Sequence, residues 1–399
     1  MKSLHFGAGK IGRGFIGAQL SAAGYDVTFA DVNSSVVDAI NNDRGYCLHI
    51  LDSQLFVQSV SGVSAVLSDQ AVGLVVEADI VTTAVSMNLL PAVVPIVAAG
   101  LVERRAAGVT APLDVICCEN GIRATSHFKS LVVQHLDADM QRWVDEFVGF
   151  ADCCVDRIVP IVSLEKGLDV AVERYCEWCI ERSTLKGTLM TTSDMHLVDD
   201  VEAAVYRKLF TLNTAHCATA YLGALRGYEY IHEAVADGEI RAIVEGIMDD
   251  CSAMLVKKYN LDPTVQKNYC RTVLERFSNA MLGDTVSRVS RDPMRKLSPQ
   301  LYFSCPIGLA LRLETPTHYL SMAVAAALKF RSENDAQSLQ LGSMIASKGV
   351  VDTVKEVCSI DDAGVLAQIE EHYDRIERFF YEEFAKSKIC SIFATAFGH

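Results

Sequence analysis

Lys208, Asn213 and His216 are three polar side chains that lie close together in the second half of the chain. An amine and an imidazole can take up or release protons, and an amide can hydrogen-bond to an oxygen atom. On an α-helix, with about 100° between successive residues, the three fall within an arc of about 140°. One helix face would then present them to a single pocket. The same pattern fits a polar helix face with a capped or core histidine, and the spacing leaves both interpretations open.

The segment around these residues has a helical pattern. From about residue 195 onward, apolar residues recur at intervals of three and four, which predicts amphipathic helices. The predicted helices span residues 201–225, 240–259, 267–281 and 317–330. A polar run at 194–200 precedes the first of them. We therefore predict a mainly α-helical substrate domain over residues 196–399, after a first domain over residues 1–195.

A glycine-rich turn lies between a predicted strand (2–6) and a predicted helix near the start of the chain. A glycine at Gly7 permits a tight bend, one at Gly9 lets the backbone approach a pyrophosphate, and one at Gly12 lets the helix pack closely on the strand. The helix N-terminus offers N–H groups and a partial positive charge to phosphates. We therefore predict that a dinucleotide contacts the turn residues Gly7, Ala8, Gly9, Lys10, Ile11, Gly12 and Arg13.

An acidic residue completes this pattern. A second predicted strand, 26–30, is followed by Asp31, which lies about 20 residues beyond Gly12, as the dinucleotide fingerprint requires. A carboxylate at this place would bond the adenosine ribose and repel a 2′-phosphate, so NAD is favoured over NADP as the cofactor. The alternative is a purely structural turn in an α/β domain. Arg13 is expected either to contact the pyrophosphate or to face solvent.

Two further runs have the composition of buried strands. Residues 78–85 include Thr83 near their end, and residues 114–118 are followed closely by Asn120. Ligands of open parallel sheets lie outside the carboxyl ends of the strands, so these two polar side chains are candidates for the nicotinamide and substrate side. Asn120 with Gly121 also fits an ordinary turn. The chain is thus predicted to be an α/β protein, with a Rossmann-type parallel sheet, then a helical domain, and the site between them.

Composition excludes several classes of protein. Half of the residues are apolar and 22% are charged, as in globular enzymes, and a net charge of −14 repels nucleic acid and anionic membranes. The most apolar run, 91–102, is shorter than the roughly 20 residues of a membrane span. We expect a cytoplasmic protein without nucleic-acid or membrane partners. Cys176 and Cys179 have zinc-site spacing, but no second pair follows them, so no metal is expected.

Several stretches resemble the polyol-specific long-chain dehydrogenases. The spacing from Lys208 through Asn213 to His216, together with Val-Asp-Arg-Ile-Val-Pro at 155–160, is specific to that group, and the resemblance covers nearly the whole chain. Further matching stretches are 5–17, 28–33, 118–120, 207–216, 294–298 and 329–331. The resemblance implies an NAD-dependent, metal-independent enzyme. It also overrides the interpretation of the helix as an ordinary polar face.

The resemblance implies a role for each residue of the site. Lys208 would act as the general base that takes the hydroxyl proton, Asn213 and Asn120 would stabilise the developing alkoxide, and His216 would orient a substrate hydroxyl. Amide donors aimed at an alkoxide act as an oxyanion hole. The implied reaction is reversible hydride transfer between NAD and a six-carbon polyol phosphate, which converts mannitol 1-phosphate to fructose 6-phosphate.

One segment departs from the family pattern. Phosphate-using members usually carry Asp-Arg and then Lys where this chain has Leu301, Tyr302 and Cys305. We expect nearby cations to hold the phosphate by charge-assisted hydrogen bonds instead. These cations are Arg295, Lys296 and Arg291, with Arg288 as a further candidate. The alternatives are an unphosphorylated polyol or sugar acid as substrate, and, outside the enzymes, a regulator that senses NADH without catalysis.

Overall fold

The computed structural model describes residues 1–160, 164 and 167–376. The chain divides into two units, Met1–Val205 and a second that begins at Tyr206. The domain boundary predicted at residue 195 stays a prediction. Within the described residues, no helix has both the length and the apolar character needed to cross a membrane.

The first unit is built on a six-stranded sheet. Its strands and those of two smaller sheets are β1 (Lys2–Phe6), β2 (Asp26–Asp31), β3 (Gly45–Leu51), β4 (Leu55–Ser61), β5 (Ser64–Leu67), β6 (Ile80–Thr83), β7 (Leu113–Cys117), β8 (Val148–Phe150), β9 (Cys153–Asp156), β10 (Val170–Glu173), β11 (Glu177–Glu181) and β12 (Met195–Val198). The large sheet has the order β5-β2-β1-β6-β7-β8, and all of its neighbouring strands pair in parallel. The smaller sheets have the orders β10-β3-β4 and β12-β11-β9. The predicted Rossmann-type parallel sheet is confirmed.

The large sheet is buried on both faces because apolar residues follow one another along its strands. Ile80 and Ile116 belong to one apolar cluster, and their chain neighbours Val81 and Val115 belong to another. Successive side chains of a strand point to opposite faces, so the two clusters cover the two faces of the sheet. Continuous apolar runs of this kind are typical of parallel strands covered by helices. The helices of this unit are α1 (Ala18–Ala22), α2 (Ser34–Asp43), α3 (Val72–Glu77), α4 (Leu90–Ala106), α5 (Ala124–Val132) and α6 (Ala138–Phe147).

The direction in which the sheet grows reverses at β1, which has β2 on one side and β6 on the other. In open α/β sheets, ligands bind at the carboxyl ends of the strands that flank such a switch point. Gly7 directly follows β1, Asp31 ends β2 and Thr83 ends β6. The parallel fold therefore brings these three predicted cofactor residues to one edge of the sheet.

The described part of the second unit is helical. Its helices, starting with the one that leads into it, are α7 (Val201–Arg207), α8 (Thr214–Arg226), α9 (Ile231–Ala236), α10 (Gly238–Tyr259), α11 (Pro263–Phe277), α12 (Val286–Val289), α13 (Pro293–Leu297), α14 (Ser304–Leu313), α15 (His318–Lys329) and α16 (Ala336–Cys358). Residues 363–376 are also helical. Helices α8, α10 and α15 contact one another and bury most of their apolar residues, so they form the centre of this unit. The predicted helical domain is confirmed.

Two predicted helices differ from the observed ones. The helix predicted over 267–281 is Pro263–Phe277, because the Asp262 side chain accepts hydrogen bonds from the N–H groups of Thr264 and Val265. An aspartate N-cap followed by proline is a strong helix start, and it sets the first turn earlier than the apolar pattern indicates. The single helix predicted over 201–225 is instead α7 and α8, separated by a π-helical segment at Lys208–Asn213.

Candidate functional site

The glycine turn after β1 depends on contacts that only glycine allows. Gly7 has a φ of 100°, in the left-handed region, and a Cβ there would lie 2.5 Å from the carbonyl oxygen of Ala84. A Cβ at Gly12 would lie 1.8 Å from the carbonyl oxygen of Gly7. A side chain at Gly7 would push the turn away from the residue that follows β6, and one at Gly12 would push the helix away from the end of β1. The turn itself therefore requires the two outer glycines of the fingerprint.

Gly9 faces open space. No heavy atom lies within 4 Å of the place that its Cβ would occupy, and Gly9, Lys10 and Ile11 are all exposed. A ligand can therefore reach the backbone at the start of this helix. The N–H groups and the dipole at a helix N-terminus attract phosphate groups. The open backbone at Gly9 fits the pyrophosphate of a dinucleotide.

Asp31 ties the end of β2 to the glycine turn. Its Oδ2 accepts a hydrogen bond of 2.6 Å from the N–H of Ala8, and its Oδ1 accepts one of 2.9 Å from the N–H of Asn33. Each carboxylate oxygen carries two lone pairs, so both oxygens keep acceptor capacity for a further donor such as a ribose hydroxyl. Asp31 therefore holds the glycine turn in place. This structural role of Asp31 was not predicted from the sequence. Its contact with the ribose stays a prediction.

Arg13 supports the glycine turn from inside the protein. Its side chain is buried, its Nε donates to the carbonyl oxygen of Leu168 at 2.9 Å, and its Nη1 donates to the carbonyl oxygen of Ala8. The hydroxyl of Tyr46 donates to the carbonyl oxygen of Arg13 at 2.8 Å. The alternative of a solvent-facing Arg13 is therefore wrong. Its contact with a pyrophosphate stays a prediction.

A neutral histidine lies beneath the turn. His5 is fully buried, its Nδ1 lies 2.7 Å from Thr82 Oγ1, and its ring meets that of Phe29 edge-on. Burial lowers the pKa of His5 to about 3. The imidazole therefore carries no charge near neutral pH and adds nothing to the positive potential of the turn.

A buried carboxylate joins the ends of β6 and β7. Glu119 accepts hydrogen bonds at Oε1 from Thr83 Oγ1 (2.7 Å) and the Val85 N–H (2.9 Å), and at Oε2 from the Ser86 N–H (2.8 Å). Three donors compensate the cost of burying its charge. The hydrogen bond to Glu119 therefore fixes the orientation of the Thr83 hydroxyl. Asn120, the next residue after Glu119, is exposed, so its amide is accessible at the end of β7.

The π-helical segment Lys208–Asn213 changes the geometry that the sequence predicted for the second unit. Its hydrogen bonds link residues five apart, as shown by the Thr214 N–H donating to the carbonyl oxygen of Leu209. In an α-helix a residue and the fifth one after it lie about 140° apart around the axis. The wider π-helical turn brings Lys208 and Asn213 closer to the same face. Short π-helical bulges occur frequently at functional sites.

The predicted site residues in and after the π-helical segment are more exposed than most of the residues between them. Lys208, Asn213 and His216 are half-buried, whereas most of the residues between them are buried. The three predicted catalytic side chains therefore reach the surface of the second unit near one another. The structure brings these three together within the unit, and it places Asn120 in the first unit.

Buried hydrogen bonds hold the π-helical segment in place. Thr214 Oγ1 donates to the carbonyl oxygen of Tyr302 at 2.6 Å. Thr211 Oγ1 accepts a 2.9 Å hydrogen bond from Gln266 Nε2, which also donates to Ser252 Oγ at 3.0 Å. These bonds tie the segment to α10, α11 and the chain before α14. They fix a local conformation that lacks the regular i to i−4 bonds of an α-helix.

His216 has a carboxylate partner. Its Nε2 lies 2.8 Å from Asp284 Oδ2, and its ring stacks on Phe277 with centroids 4.9 Å apart and planes 20° apart. Arg288 donates to Asp284 Oδ1 through Nε at 2.8 Å and through Nη2 at 2.6 Å. The imidazole is thus held on two sides, by a hydrogen bond and by an aromatic ring.

Two of the four cations considered for phosphate binding are used within the fold. Lys296 is buried, its Nζ donates to the carbonyl oxygen of Val289, and burial lowers the pKa of the amine. Arg288 forms the two bonds to Asp284 described above. Because its ammonium group is buried and bonded to backbone, Lys296 has a structural place, and its contact with a phosphate stays a prediction.

The other two cations, Arg291 and Arg295, are exposed. Tyr302 lies near Arg295: burial raises the pKa of its hydroxyl, and the charge of this arginine offsets part of that rise. Arg291 makes one long bond, 3.4 Å, to the carbonyl oxygen of Arg288. Arg295 therefore lies beside the segment in which this chain departs from the phosphate-using pattern.

A cavity of about 110 Å³ lies in the first unit beside the residues that follow β7. Half of its lining residues are acidic, and none is a predicted site residue: Ile122, Arg123, Asp152, Cys153, Glu181, Asp199, Asp200, Val201, Glu202 and Val205. Such a lining repels phosphates, and the volume is well below the roughly 300 Å³ of small-molecule sites. Within the described ranges, no three His, Cys, Asp or Glu side chains are grouped as ligands for a metal ion.

The sequence model of the mannitol dehydrogenase Rossmann domain matches residues 1–193, and that of the mannitol dehydrogenase C-terminal domain matches residues 200–378. The chain belongs to the mannitol dehydrogenase family. The first match contains the glycine turn, and the second contains the π-helical segment. The predicted resemblance to polyol dehydrogenases is confirmed by these matches.

Two solved structures share the fold of this mannitol dehydrogenase family member. A Pseudomonas fluorescens mannitol 2-dehydrogenase, solved as a ternary complex with NAD and D-mannitol, is similar with 19% identity and a TM-score of 0.74, over 97% of this chain and 94% of that one. A D-sorbitol dehydrogenase in substrate-free form is similar with 18% identity and a TM-score of 0.80, over 94% and 92%. The two-domain architecture is therefore common to all three.

Sequence reasoning missed several residues that order the site of this mannitol dehydrogenase family member. Glu119 lies at a strand end whose polar groups are candidates from the sequence, but its bonds to Thr83, Val85 and Ser86 were not predicted. Asp284, Gln266 and Phe277 gave no signal, because they contact the segment from far away in the sequence and their spacing follows no local period. Only the folded second unit brings them together.

Proposed function

We propose that this chain is an NAD-dependent polyol oxidoreductase that interconverts mannitol 1-phosphate and fructose 6-phosphate. The π-helical segment gives this proposal its strongest support. It presents an amine, an amide and an imidazole near one another in a domain that matches the mannitol dehydrogenase family. A polyol needs this set of groups, because one hydroxyl must lose a proton while its neighbours are held by hydrogen bonds.

The glycine turn supports NAD as the cofactor. The open backbone at Gly9 would receive the pyrophosphate, Asp31 would bond the adenosine ribose, and Thr83 would lie on the nicotinamide side. The charge of Asp31 disfavours the 2′-phosphate of NADP. When bound, NAD supplies hydride acceptance in one direction and hydride donation in the other. The similar mannitol 2-dehydrogenase was solved with NAD bound, which agrees with this assignment.

The chain's own residues then handle the proton and the oxygen. In the direction of alcohol oxidation, the amine of Lys208 takes the proton of the reacting hydroxyl while the carbon that carries this hydroxyl becomes a carbonyl carbon. The amide of Asn213 donates a hydrogen bond to that oxygen while it carries negative charge. The family resemblance implies the same role for Asn120 of the first unit. His216 holds a neighbouring hydroxyl. In the reverse direction Lys208 returns its proton to the oxygen, so that charge balances in both directions.

Arg295 is the cation that we propose for the phosphate of the substrate, with Arg291 as a second contact. Both are exposed, whereas Lys296 and Arg288 are bonded within the fold. A phosphate normally requires charge-assisted bonds from arginine or lysine. Arg295 also lies near Tyr302, in the segment where this chain departs from the phosphate-using pattern.

An unphosphorylated polyol or sugar acid is the second candidate substrate. The use of Lys296 and Arg288 within the fold favours it, because it leaves fewer free cations for a doubly charged group. One arginine is enough for a carboxylate, which it can bind with two parallel hydrogen bonds. The candidate substrates differ in their anionic group, which is a phosphate, a carboxylate or absent, so a direct comparison separates them.

Oxidation of NADH with fructose 6-phosphate, free fructose and a panel of keto sugar acids tests the proposal. We expect the highest kcat/KM for fructose 6-phosphate. Preference for an unphosphorylated ketose would establish the second candidate. NADH binding without turnover on any of these compounds would contradict the proposed enzyme and favour a regulator that senses NADH.

A further inference from the structure

Asp284 is the buried acidic partner of His216. The side chains of His216 and Asp284 are only 14% and 9% exposed, and their Nε2 and Oδ2 atoms lie 2.8 Å apart. The N–H of Ile231 donates to the carbonyl oxygen of Asp284 at 2.9 Å, so the backbone that carries the carboxylate is also anchored. Because little of either side chain is exposed, water competes weakly with this bond, and the pair is held in one arrangement.

Asp284 is ionised near neutral pH. Burial alone would raise the pKa of its carboxyl group, but the hydrogen bonds and charges of His216 and Arg288 outweigh burial and lower it. An ionised carboxylate accepts hydrogen bonds and donates none. The hydrogen atom of the bond between the two side chains must therefore belong to Nε2 of His216.

Arg288 fixes which carboxylate oxygen faces the histidine. Its Nε and Nη2 both donate to Oδ1, which leaves Oδ2 for Nε2 of His216. The guanidinium also balances the charge of the carboxylate. Phe277, stacked on the imidazole at 4.9 Å, restrains rotation of the ring out of its plane. The carboxylate and the imidazole are therefore each held by two contacts.

We propose that Asp284 is a positioning residue that sets the tautomer of His216 for substrate recognition. With hydrogen on Nε2, the neutral ring presents a lone pair at Nδ1, which accepts a hydrogen bond. A hydroxyl group can donate to that lone pair, whereas a carbonyl oxygen has no hydrogen to give. His216 thus selects a carbon that carries a hydroxyl group next to the reacting carbon. The inference rests on the proposed function, in which His216 holds a substrate hydroxyl.

The tautomer can be measured without any substrate. In protein labelled with ¹⁵N-histidine, the ring nitrogen shifts of His216, assigned by their loss in His216→Ala, should show hydrogen on Nε2 in the unaltered protein. In Asp284→Asn the amide can donate to Nε2, and the hydrogen should move to Nδ1. A wild-type ring with hydrogen on Nδ1 would overturn the proposal, even if Asp284→Asn fails to fold.

Kinetics provide the second readout. Asp284→Asn should lower kcat/KM for the ketose by about tenfold or more, since a charge-assisted hydrogen bond is lost, while the affinity for NADH stays unchanged. In a His216→Ala background the same substitution should have an effect below about twofold, because Asp284 acts only through His216. Asp262→Asn, a matched change at the N-cap of α11, should leave kcat/KM unchanged. Equal losses from Asp284→Asn in both backgrounds would overturn the positioning role.

The two readouts distinguish the inference from the proposed function. If no polyol or ketose is turned over but the ring shows hydrogen on Nε2, the proposed reaction fails and the tautomer assignment stands. If turnover occurs but the ring carries hydrogen on Nδ1, the reaction stands and the role of Asp284 fails.

Discussion

Two glycines of the turn after β1 should respond to alanine in opposite ways. A Cβ at Gly9 meets no heavy atom within 4 Å, and Gly9 does not have a positive φ, so Gly9→Ala leaves the fold intact. A Cβ at Gly12 would lie 1.8 Å from the carbonyl oxygen of Gly7, so Gly12→Ala requires a backbone shift of about 1 Å. One substitution therefore tests the ligand surface and the other tests the packing of the turn.

The expected magnitudes follow from these distances. Gly9→Ala should raise the free energy of unfolding by about 0.4–1 kcal/mol, because alanine reduces the conformational entropy of the unfolded chain. It should weaken NADH binding by about tenfold or more, since the methyl group keeps the pyrophosphate from the N–H groups and charge-assisted bonds worth about 1.5–3 kcal/mol are lost. Gly12→Ala should cost about 1–3 kcal/mol of strain. That cost lowers Tm by about 2–4 °C per kcal/mol in a unit of this size.

Titration of NADH fluorescence and thermal unfolding measure both quantities on the same samples. Gly73→Ala is the matched control, because a Cβ there also meets nothing within 4 Å and lies far from the turn in the sequence. It should change neither the NADH affinity nor, beyond about 1 kcal/mol, the stability. The reasoning is refuted if Gly9→Ala binds NADH as tightly as the unaltered protein.

Three further predictions concern charge. Asp31→Asn should bring the affinities for NADP and NAD closer by about tenfold or more, measured by parallel titrations, and unchanged discrimination would argue against the ribose assignment. Arg295→Ala should raise the KM for fructose 6-phosphate by about tenfold but hardly change the KM for free fructose. Lys296→Ala should mainly lower Tm. A raised KM in Lys296→Ala and an unchanged KM in Arg295→Ala would assign the phosphate site to Lys296. Because burial holds the pKa of His5 at about 3 instead of 6.5, the unfolded chain binds the extra proton between these values. The free energy of unfolding should therefore fall, by about 1.4 kcal/mol per pH unit, as pH drops from about 6.5 towards 3, and His5→Asn should lose this part of the slope in denaturant titrations.

Local patterns in the sequence were sufficient to predict the fold. The period of apolar residues separated the sheet unit from the helical unit, and the glycine turn with its flanking strands indicated the Rossmann-type sheet. The start of α11 at Pro263 differs from the predicted one because a capping side chain, and not apolar spacing, sets the first turn. Local sequence patterns therefore predict which segments form helices or strands, whereas individual capping hydrogen bonds determine the residue at which a helix begins.

The π-helical segment could not be predicted from its own sequence. Lys208–Asn213 reads as ordinary helix, and its conformation is stabilised by partners such as Gln266 and Tyr302 that are remote along the chain. The same limitation applied to the cations. Spacing could not show that Lys296 bonds a backbone carbonyl while Arg295 stays exposed, because burial depends on the packing of several helices. The candidates came from the sequence, and the choice among them required tertiary structure.

Turnover by Lys208→Ala tests the central claim most directly. Ketose reduction is measured at saturating NADH and substrate in the variant and the unaltered protein, with NADH affinity measured separately. We predict a loss in kcat of about 10² or more with little change in NADH affinity, because the amine moves the proton and the glycine turn holds the cofactor. A kcat within about threefold of the original would contradict Lys208 as the general acid and base.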